Sequence, residues 1–243
     1  MHPIICNIGP LTVYSYGLML VLAFALGTFL AVLEAKKEKI DPEIIFNFTF
    51  TGFVFGILGS RLFYVIENLG FYIREPLEII MLQRGGLSWF GGLMLGALSG
   101  IMYLKNKKQD VYKILDLIAP FIALAQAIGR IGCLLNGCCY GKSSPSGIYF
   151  SNQEAFLIPT QAYSSLLLII IFIALRFFQD RPHKLGQIFF IYLLLYSVKR
   201  FFIEFWRADN PVIFAGLTLF QILSIVIFCI SLVKLFLISR SKN

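Results

Sequence analysis

Apolar residues run along this chain in continuous blocks rather than in short alternating segments, and seven of the blocks are about twenty residues long. An α-helix needs roughly 20 apolar residues to cross a hydrocarbon layer of about 30 Å, so each block predicts one crossing. The blocks cover about Tyr14–Leu33, Ile44–Val65, a third that begins in RGGLSWFGGLMLG and ends near Tyr103, Val111–Leu135, Thr160–Phe178, Gln187–Phe205 and Ile213–Leu237. A membrane β-barrel would instead show alternating segments of about ten residues. The predicted class is therefore all-α, a polytopic membrane protein of about seven transmembrane helices forming a single integral-membrane domain over residues 1–243.

The polar intervals fit that frame. Residues 67–83, with Arg74, Glu75 and Glu78, are too few to cross twice and predict an interfacial loop with a short helix. The segment from Gly141 to Glu154, punctuated by SSPSG, predicts the longest extramembrane loop. The N-terminal MHPIICNIGPL has no basic stretch before an apolar core and no small-residue cleavage site, so it is expected to stay on the mature chain. No soluble domain, low-complexity tract or internal repeat is evident.

Composition supports the membrane class: 58% of residues are hydrophobic and 14% charged, against roughly 25% charged in soluble domains. The net charge of +8 would suit nucleic acid, but in a membrane chain it first concerns topology, and no nucleic-acid partner is expected. The loops after blocks one, three, five and seven hold thirteen of the twenty-one Lys and Arg residues. Positive charge accumulates on the cytoplasmic side, which predicts an outside N-terminus and a cytoplasmic C-terminus.

On that orientation Arg61, Arg84, Arg130, Lys199, Arg200 and Arg207 fall at or near the outer ends of spans. Each alone can be read as a snorkelling side chain, or as a partner of Glu67 or Glu204. As a set they suit a pocket for an anionic lipid head group, because guanidinium groups grip phosphate through paired hydrogen bonds. Tyr196, Arg200 and Glu204 lie at i, i+4 and i+8 on one helical face, with Arg207 three residues further on. Such a stripe inside a membrane must face protein or water; a structural ion pair between helices is the plainer reading.

The densest departure from the apolar pattern is QAIGRIGCLLNGCCYGK, residues 126–142. Backbone in lipid must satisfy its own hydrogen bonds, so a run this rich in glycine belongs where a helix ends against protein or a water-filled cavity.

These segments together resemble the prolipoprotein diacylglyceryl transferase family of bacterial inner membranes. The resemblance rests on SYGLM (15–19), GSRLFYV (59–65), GGLSWFGGL (85–93), Asp116, GRIGCLLNGCCYG (129–141), PTQAY (159–163), YSVKRFFIEFWR (196–207) and QILS (221–224). The family signature, close to G-R-x-x-N-F-x-N-x-E-L-x-G, aligns on residues 129–141 without a gap. The resemblance implies a seven-span enzyme that moves the diacylglyceryl group of phosphatidylglycerol onto the lipobox cysteine of a preprolipoprotein signal peptide, releasing glycerol phosphate; no cofactor is expected. It places Tyr16, Arg130, Asn136, Gly141, Tyr196, Arg200 and Glu204 at positions important for activity. Three departures stand out: Phe90 where many members have histidine, and Cys133 and Cys138 where the signature has asparagine and glutamate.

The reaction displaces phosphate from a glycerol carbon by a thiolate, so the site must deprotonate a thiol and hold a departing anion. Arg130 and Arg200 are expected at the phosphate, with Asn136, Gly141, Arg61 and Arg207 also binding phosphatidylglycerol. His2 at the terminus and His183 in a cytoplasmic loop are set aside as bases. Glu204, or a tyrosinate at Tyr16 or Tyr196, is the expected base; alternatively the arginine field alone lowers the thiol pKa.

Cys133, Cys138 and Cys139 are expected to be small packing residues, ahead of a disulfide to another segment or a covalent relay through Cys138. A metal site is set aside because no histidine lies nearby in sequence. Two rival functions remain: a transporter, disfavoured by the missing repeat, and a non-catalytic protein that binds anionic lipid.

Overall fold

The computed structural model describes residues 2–8, 11–81 and 85–240. Arg84 and Lys242, both counted in the topology argument, lie outside the described residues. In chain order the elements are β1 (Ile4–Ile8), β2 (Leu11–Tyr14), α1 (Ser15–Lys37), α2 (Pro42–Glu67), α3 (Leu69–Tyr72), a 3-10 turn (Pro76–Ile80), α4 (Trp89–Asn106), α5 (Val111–Asn136), β3 (Ser143–Phe150), β4 (Ala155–Leu157), α6 (Thr160–Gln179), α7 (Gln187–Glu204), β5 (Val212–Phe214), β6 (Leu217–Thr218) and α8 (Leu219–Arg240). The protein is an all-helical polytopic membrane protein, and its strands form only short antiparallel hairpins.

Among the described residues five helices, α1, α2, α5, α6 and α8, are long and apolar enough to cross a membrane. The other two long helices are shorter, at 18 residues or about 27 Å each. Lys199, Arg200 and Glu204 lower the hydropathy of α7, while glycines and Lys105-Asn106 dilute α4.

Two predicted segments differ in kind. The last span begins at Leu219, not Ile213: the apolar Val212–Phe214 turns back at Ala215 and Gly216, both with positive φ, and pairs with Leu217–Thr218. The predicted loop after Gly141 is the β3–β4 hairpin.

The chain falls into two compact units, residues 32–114 and residues 1–31 with 115–243. The boundaries of the two units fall inside α1 and α5 rather than in a linker.

In the unit of residues 32–114, α2 starts at Asp41, whose carboxylate accepts from Glu43 N at 2.9 Å, with Pro42 at the first helical position. It packs on α4 through facing glycines. A Cβ on Gly96 would lie 2.9 Å from Gly52 O, and one on Gly59 or Gly91 would collide with the backbone opposite. Small residues four apart let helix backbones approach closely in lipid, where van der Waals packing replaces the hydrophobic drive.

Arg61 near the end of α2 corrects an expectation. It is 7% exposed, and all five of its N–H donors meet main-chain carbonyls: Ile79 at 2.9 Å, Gly85 at 2.6 Å, Gly86 at 2.9 Å, Met81 at 3.3 Å, and Glu78. Its guanidinium also lies over the Tyr72 ring at 5.3 Å. With no donor left for phosphate, Arg61 holds the loop after α3 rather than a lipid head group.

The second unit is built on α5, α6 and α7. Ala119 and Ala123 of α5 pack with Ile171 and Leu175 of α6 and Ile188 and Tyr192 of α7. Asp116 fixes α7 from α5, accepting from Gly186 N at 2.6 Å and Phe189 N at 2.8 Å, so a buried carboxylate satisfies the first amides of that helix. This frame carries the candidate site on the far ends of α5 and α7.

Candidate active site

Helix α5 ends at Asn136, and Gly137 at φ +72° reverses the chain so that Cys138 N bonds back to Cys133 O at 3.1 Å. Cys139 follows with φ +64°, a left-handed conformation that costs a non-glycine residue about 1 kcal/mol or more. Two side chains from the start of α6 hold this turn: Thr160 Oγ1 donates to Cys139 O at 2.7 Å and Gln161 Nε2 to Cys138 O at 2.6 Å.

The turn brings the thiols of Cys133, Cys138 and Cys139 together, every sulfur within 4.8 Å of the others. All three are free thiols. Hydrogen bonds with the Cys133 and Cys138 thiols hold the Cys139 thiol below its ordinary pKa; burial opposes this, and the charges of Arg207 and Arg130 reinforce it. The three expected small packing residues thus lie in one cluster. Residue types alone do not show this clustering, because it is the direction of the turn that gathers the three thiols.

Arg130, one turn before Cys133, is half-buried and makes no hydrogen bond or ion pair with another protein group among the described residues. Its charge acts on Cys133, Tyr196, Cys139 and Arg207. Tyr16 at the start of α1 packs over the same stretch, since a Cβ on Gly132 would meet Tyr16 Cδ2 at 3.5 Å. The Asn136 side chain hydrogen-bonds the Cys138 thiol.

On α7, Arg200 Nη2 lies 3.1 Å from Glu204 Oε2 and its guanidinium over the Phe220 ring at 4.3 Å. Glu204 Oε1 accepts from Asn210 Nδ2 at 2.5 Å and Thr218 Oγ1 at 2.9 Å. Thr218 and Gln221 cap α8 reciprocally, Thr218 N to Gln221 Oε1 at 2.9 Å and Gln221 N to Thr218 Oγ1 at 3.3 Å. Glu204 thus ties α7 to the β5–β6 hairpin and to α8. Its side chain is 0% exposed; Oε1 takes two hydrogen bonds, while Oε2 meets Arg200 in the ion pair and accepts no hydrogen bond.

Lys199, buried at 5% exposure, donates to Ser164 Oγ at 3.0 Å and lies over the Tyr196 ring at 4.5 Å. Tyr196 in turn stacks with Tyr192 at 5.9 Å. Arg207 pairs with Asp209 through Nε at 2.8 Å and through Nη2. Gly141, expected to bind lipid, is buried between two backbones: its N donates to Ile158 O at 2.9 Å, and a Cβ there would sit 2.7 Å from Trp206 O. It brings the Arg207 segment against the cysteine turn and has no face for a ligand.

Four cations, Arg130, Lys199, Arg200 and Arg207, therefore feel one another's charge. Two carboxylates, Glu204 and Asp209, answer them. A surplus of buried positive charge costs several kcal/mol per uncompensated ion, so the arrangement asks for an anion.

The sequence matches the family described as Prolipoprotein diacylglyceryl transferase over residues 3–237. The chain belongs to that family. It is 37% identical over 216 residues, 86% of each chain, to the phosphatidylglycerol–prolipoprotein diacylglyceryl transferase of Clostridium tetani strain Massachusetts / E88. It is 34% identical over 253 residues, 100% of this chain and 96% of the relative, to the protein of the same name from Streptococcus pyogenes serotype M5 strain Manfredo.

Within this member of the transferase family, the expected site residues Tyr16, Arg130, Asn136, Tyr196, Arg200, Glu204 and Arg207 all belong to the unit that holds the cysteine turn, whereas Arg61 belongs to the other unit. Sequence reasoning missed the supporting groups. Thr160, Gln161, Asp209, Asn210 and Thr218 are ordinary polar residues at helix ends, and only the folded contacts give them a role. Ser164 is missed for the same reason. His2 was set aside for lying at the terminus, yet its N donates to Leu135 O at 3.1 Å and its carbonyl accepts from Ser15, beside the end of α5.

Proposed function

We propose that this protein transfers the diacylglyceryl group of phosphatidylglycerol to the lipobox cysteine thiol of preprolipoproteins and releases glycerol phosphate. The reaction takes place at the outer side of the bacterial inner membrane, in a seven-span chain with its N-terminus outside. The observation that carries this reading is the unpaired, half-buried Arg130 guanidinium beside three further cations.

Phosphatidylglycerol supplies the anion that this cluster lacks. Arg130 receives the phosphate through its planar fork, and Arg200, paired with Glu204, adds its charge as negative charge builds on the leaving oxygen. Arg207 contributes through the donors not taken by Asp209. Tyr16, which packs beside Gly132, serves the same lipid, as do Asn136, beside the Cys138 thiol, and Tyr196. The acceptor sulfur attacks the glycerol carbon, the carbon–oxygen bond to phosphate breaks, and the electron pair leaves with glycerol phosphate. No cofactor is consumed.

Purified protein in detergent, given phosphatidylglycerol and a lipobox peptide, is expected to release glycerol phosphate only when the peptide cysteine is present. Release without peptide, or none with both substrates, would contradict the reading.

A further inference from the structure

Resting on that reaction, the cysteine turn carries a second assignment. We propose that Cys133, Cys138 and Cys139 form a three-thiolate site for a zinc-like divalent cation whose fourth position takes the thiol of the acceptor.

The geometry is close to what such a cation requires. In a tetrahedral zinc site with bonds of about 2.3 Å, ligand sulfurs stand roughly 3.8 Å apart. The three sulfurs here are all within 4.8 Å of one another, so side-chain rotation and a small closure complete the set. Three protein ligands leave one position open, which is the arrangement of catalytic rather than structural zinc.

The backbone of the turn is also held as a ligand frame is held. Two of its carbonyls are bonded by Thr160 and Gln161, and Cys139 adopts a left-handed conformation unfavourable for any residue but glycine. Strain of this kind persists where the surroundings impose it, and it clusters at functional sites. Outer groups that fix ligand orientation are a regular part of metal centres.

Charge agrees. A divalent cation with three thiolates carries −1, and a fourth thiolate makes −2. Arg130, Arg200, Arg207 and Lys199 together offset that charge and the charges of Glu204 and Asp209, so the cation with four thiolates leaves no net negative charge to repel the lipid phosphate, which meets the unpaired donors of Arg130.

The chemistry needs no oxidant or reductant. On joining the cation the acceptor thiol gives its proton to water, because a coordinated thiol is deprotonated outright. Its sulfur lone pair then forms the carbon–sulfur bond as the carbon–oxygen bond to phosphate breaks, and the cation stays divalent. This supplies the thiolate beside a Glu204 whose carboxylate is held in the ion pair with Arg200.

The test begins with binding, which does not depend on the lipid reaction. The full chain, reduced and stripped with chelator in detergent, is titrated with Zn²⁺ and separately with Co²⁺. One equivalent should bind per chain, cobalt should give thiolate charge-transfer absorption with the visible bands of a tetrahedral site, and three thiols should become protected from iodoacetamide. Thr160→Val, which keeps all three ligands, should weaken binding by roughly 10–100-fold, and Cys138→Ser by more. Failure of the reduced parent chain to take up either metal, or uptake equal to that of a chain lacking all three cysteines, overturns the site. So does a disulfide among the three in freshly isolated protein. If metal binds but phosphatidylglycerol is not consumed, the site stands and the transferase reading falls; full turnover by reduced, metal-free enzyme overturns the thiol-holding role.

Discussion

Arg200 and Glu204 stand one turn apart on α7 and form an ion pair, 3.1 Å from Nη2 to Oε2, with side chains 10% and 0% exposed. The carboxylate also receives Asn210 and Thr218, so the pair is a junction between α7, the β5–β6 hairpin and α8. Removing one charge of such a pair strands the other, at about 3–5 kcal/mol. Glu204→Gln should therefore lower both the thermal midpoint and turnover. Thr218→Val, which removes one hydrogen bond to the carboxylate, should cost only about 1 kcal/mol. Wild-type stability in Glu204→Gln, with activity alone lost, would instead make Glu204 a proton-transfer residue.

Arg130 should be intolerant of lysine as well as alanine. Lysine keeps the charge but lacks the planar fork that meets two phosphate oxygens, so both variants should lose most of their turnover while melting near the parent temperature. The check is kcat/KM for phosphatidylglycerol alongside thermal unfolding. A fully active lysine variant would reduce Arg130 to a point charge.

Arg61 should behave oppositely. Its donors all serve main-chain carbonyls of a part-buried loop, so Arg61→Ala removes those hydrogen bonds at about 0.5–1.5 kcal/mol each. The expected result is a large fall in thermal midpoint with little change in KM for phosphatidylglycerol in the fraction that remains folded. Gly96→Val should also destabilise without touching KM, by about 1–3 kcal/mol, because its Cβ would press on Gly52.

How far these contrasts could be read from the sequence differs by residue. The helices were legible because lipid crossing demands long apolar runs, and the Arg200–Glu204 spacing was legible because i and i+4 share a helical face. Arg61 was not. An arginine near the end of an apolar run looks alike whether it meets a phosphate or a loop of carbonyls, and only the chain after α3 decides which. The last helix was placed six residues early because Val212–Phe214 is apolar enough to start a helix, while the turn at Ala215–Gly216 that reverses it is only two residues long. The thiol cluster depended on one left-handed glycine, Gly137, whose effect on Cys138 and Cys139 is a matter of backbone direction rather than residue type.

The orientation is open to direct measurement. A reporter active only outside the cytoplasm should work when fused after Pro145, in the β3–β4 hairpin, and be silent when fused after Lys107, at the end of α4. The reverse pattern would move the site to the cytoplasmic side and remove exported preprolipoproteins as acceptors.

The central claim is that this site makes a carbon–sulfur bond at the expense of phosphatidylglycerol. Mass spectrometry of a lipobox peptide, incubated with the purified protein and phosphatidylglycerol carrying isotope-labelled acyl chains, tests it most directly. The account predicts a peptide whose cysteine carries one labelled diacylglyceryl group in thioether linkage, absent with Arg130→Ala and absent when the peptide cysteine is replaced by serine. An unmodified peptide in the presence of folded protein and both substrates would contradict it.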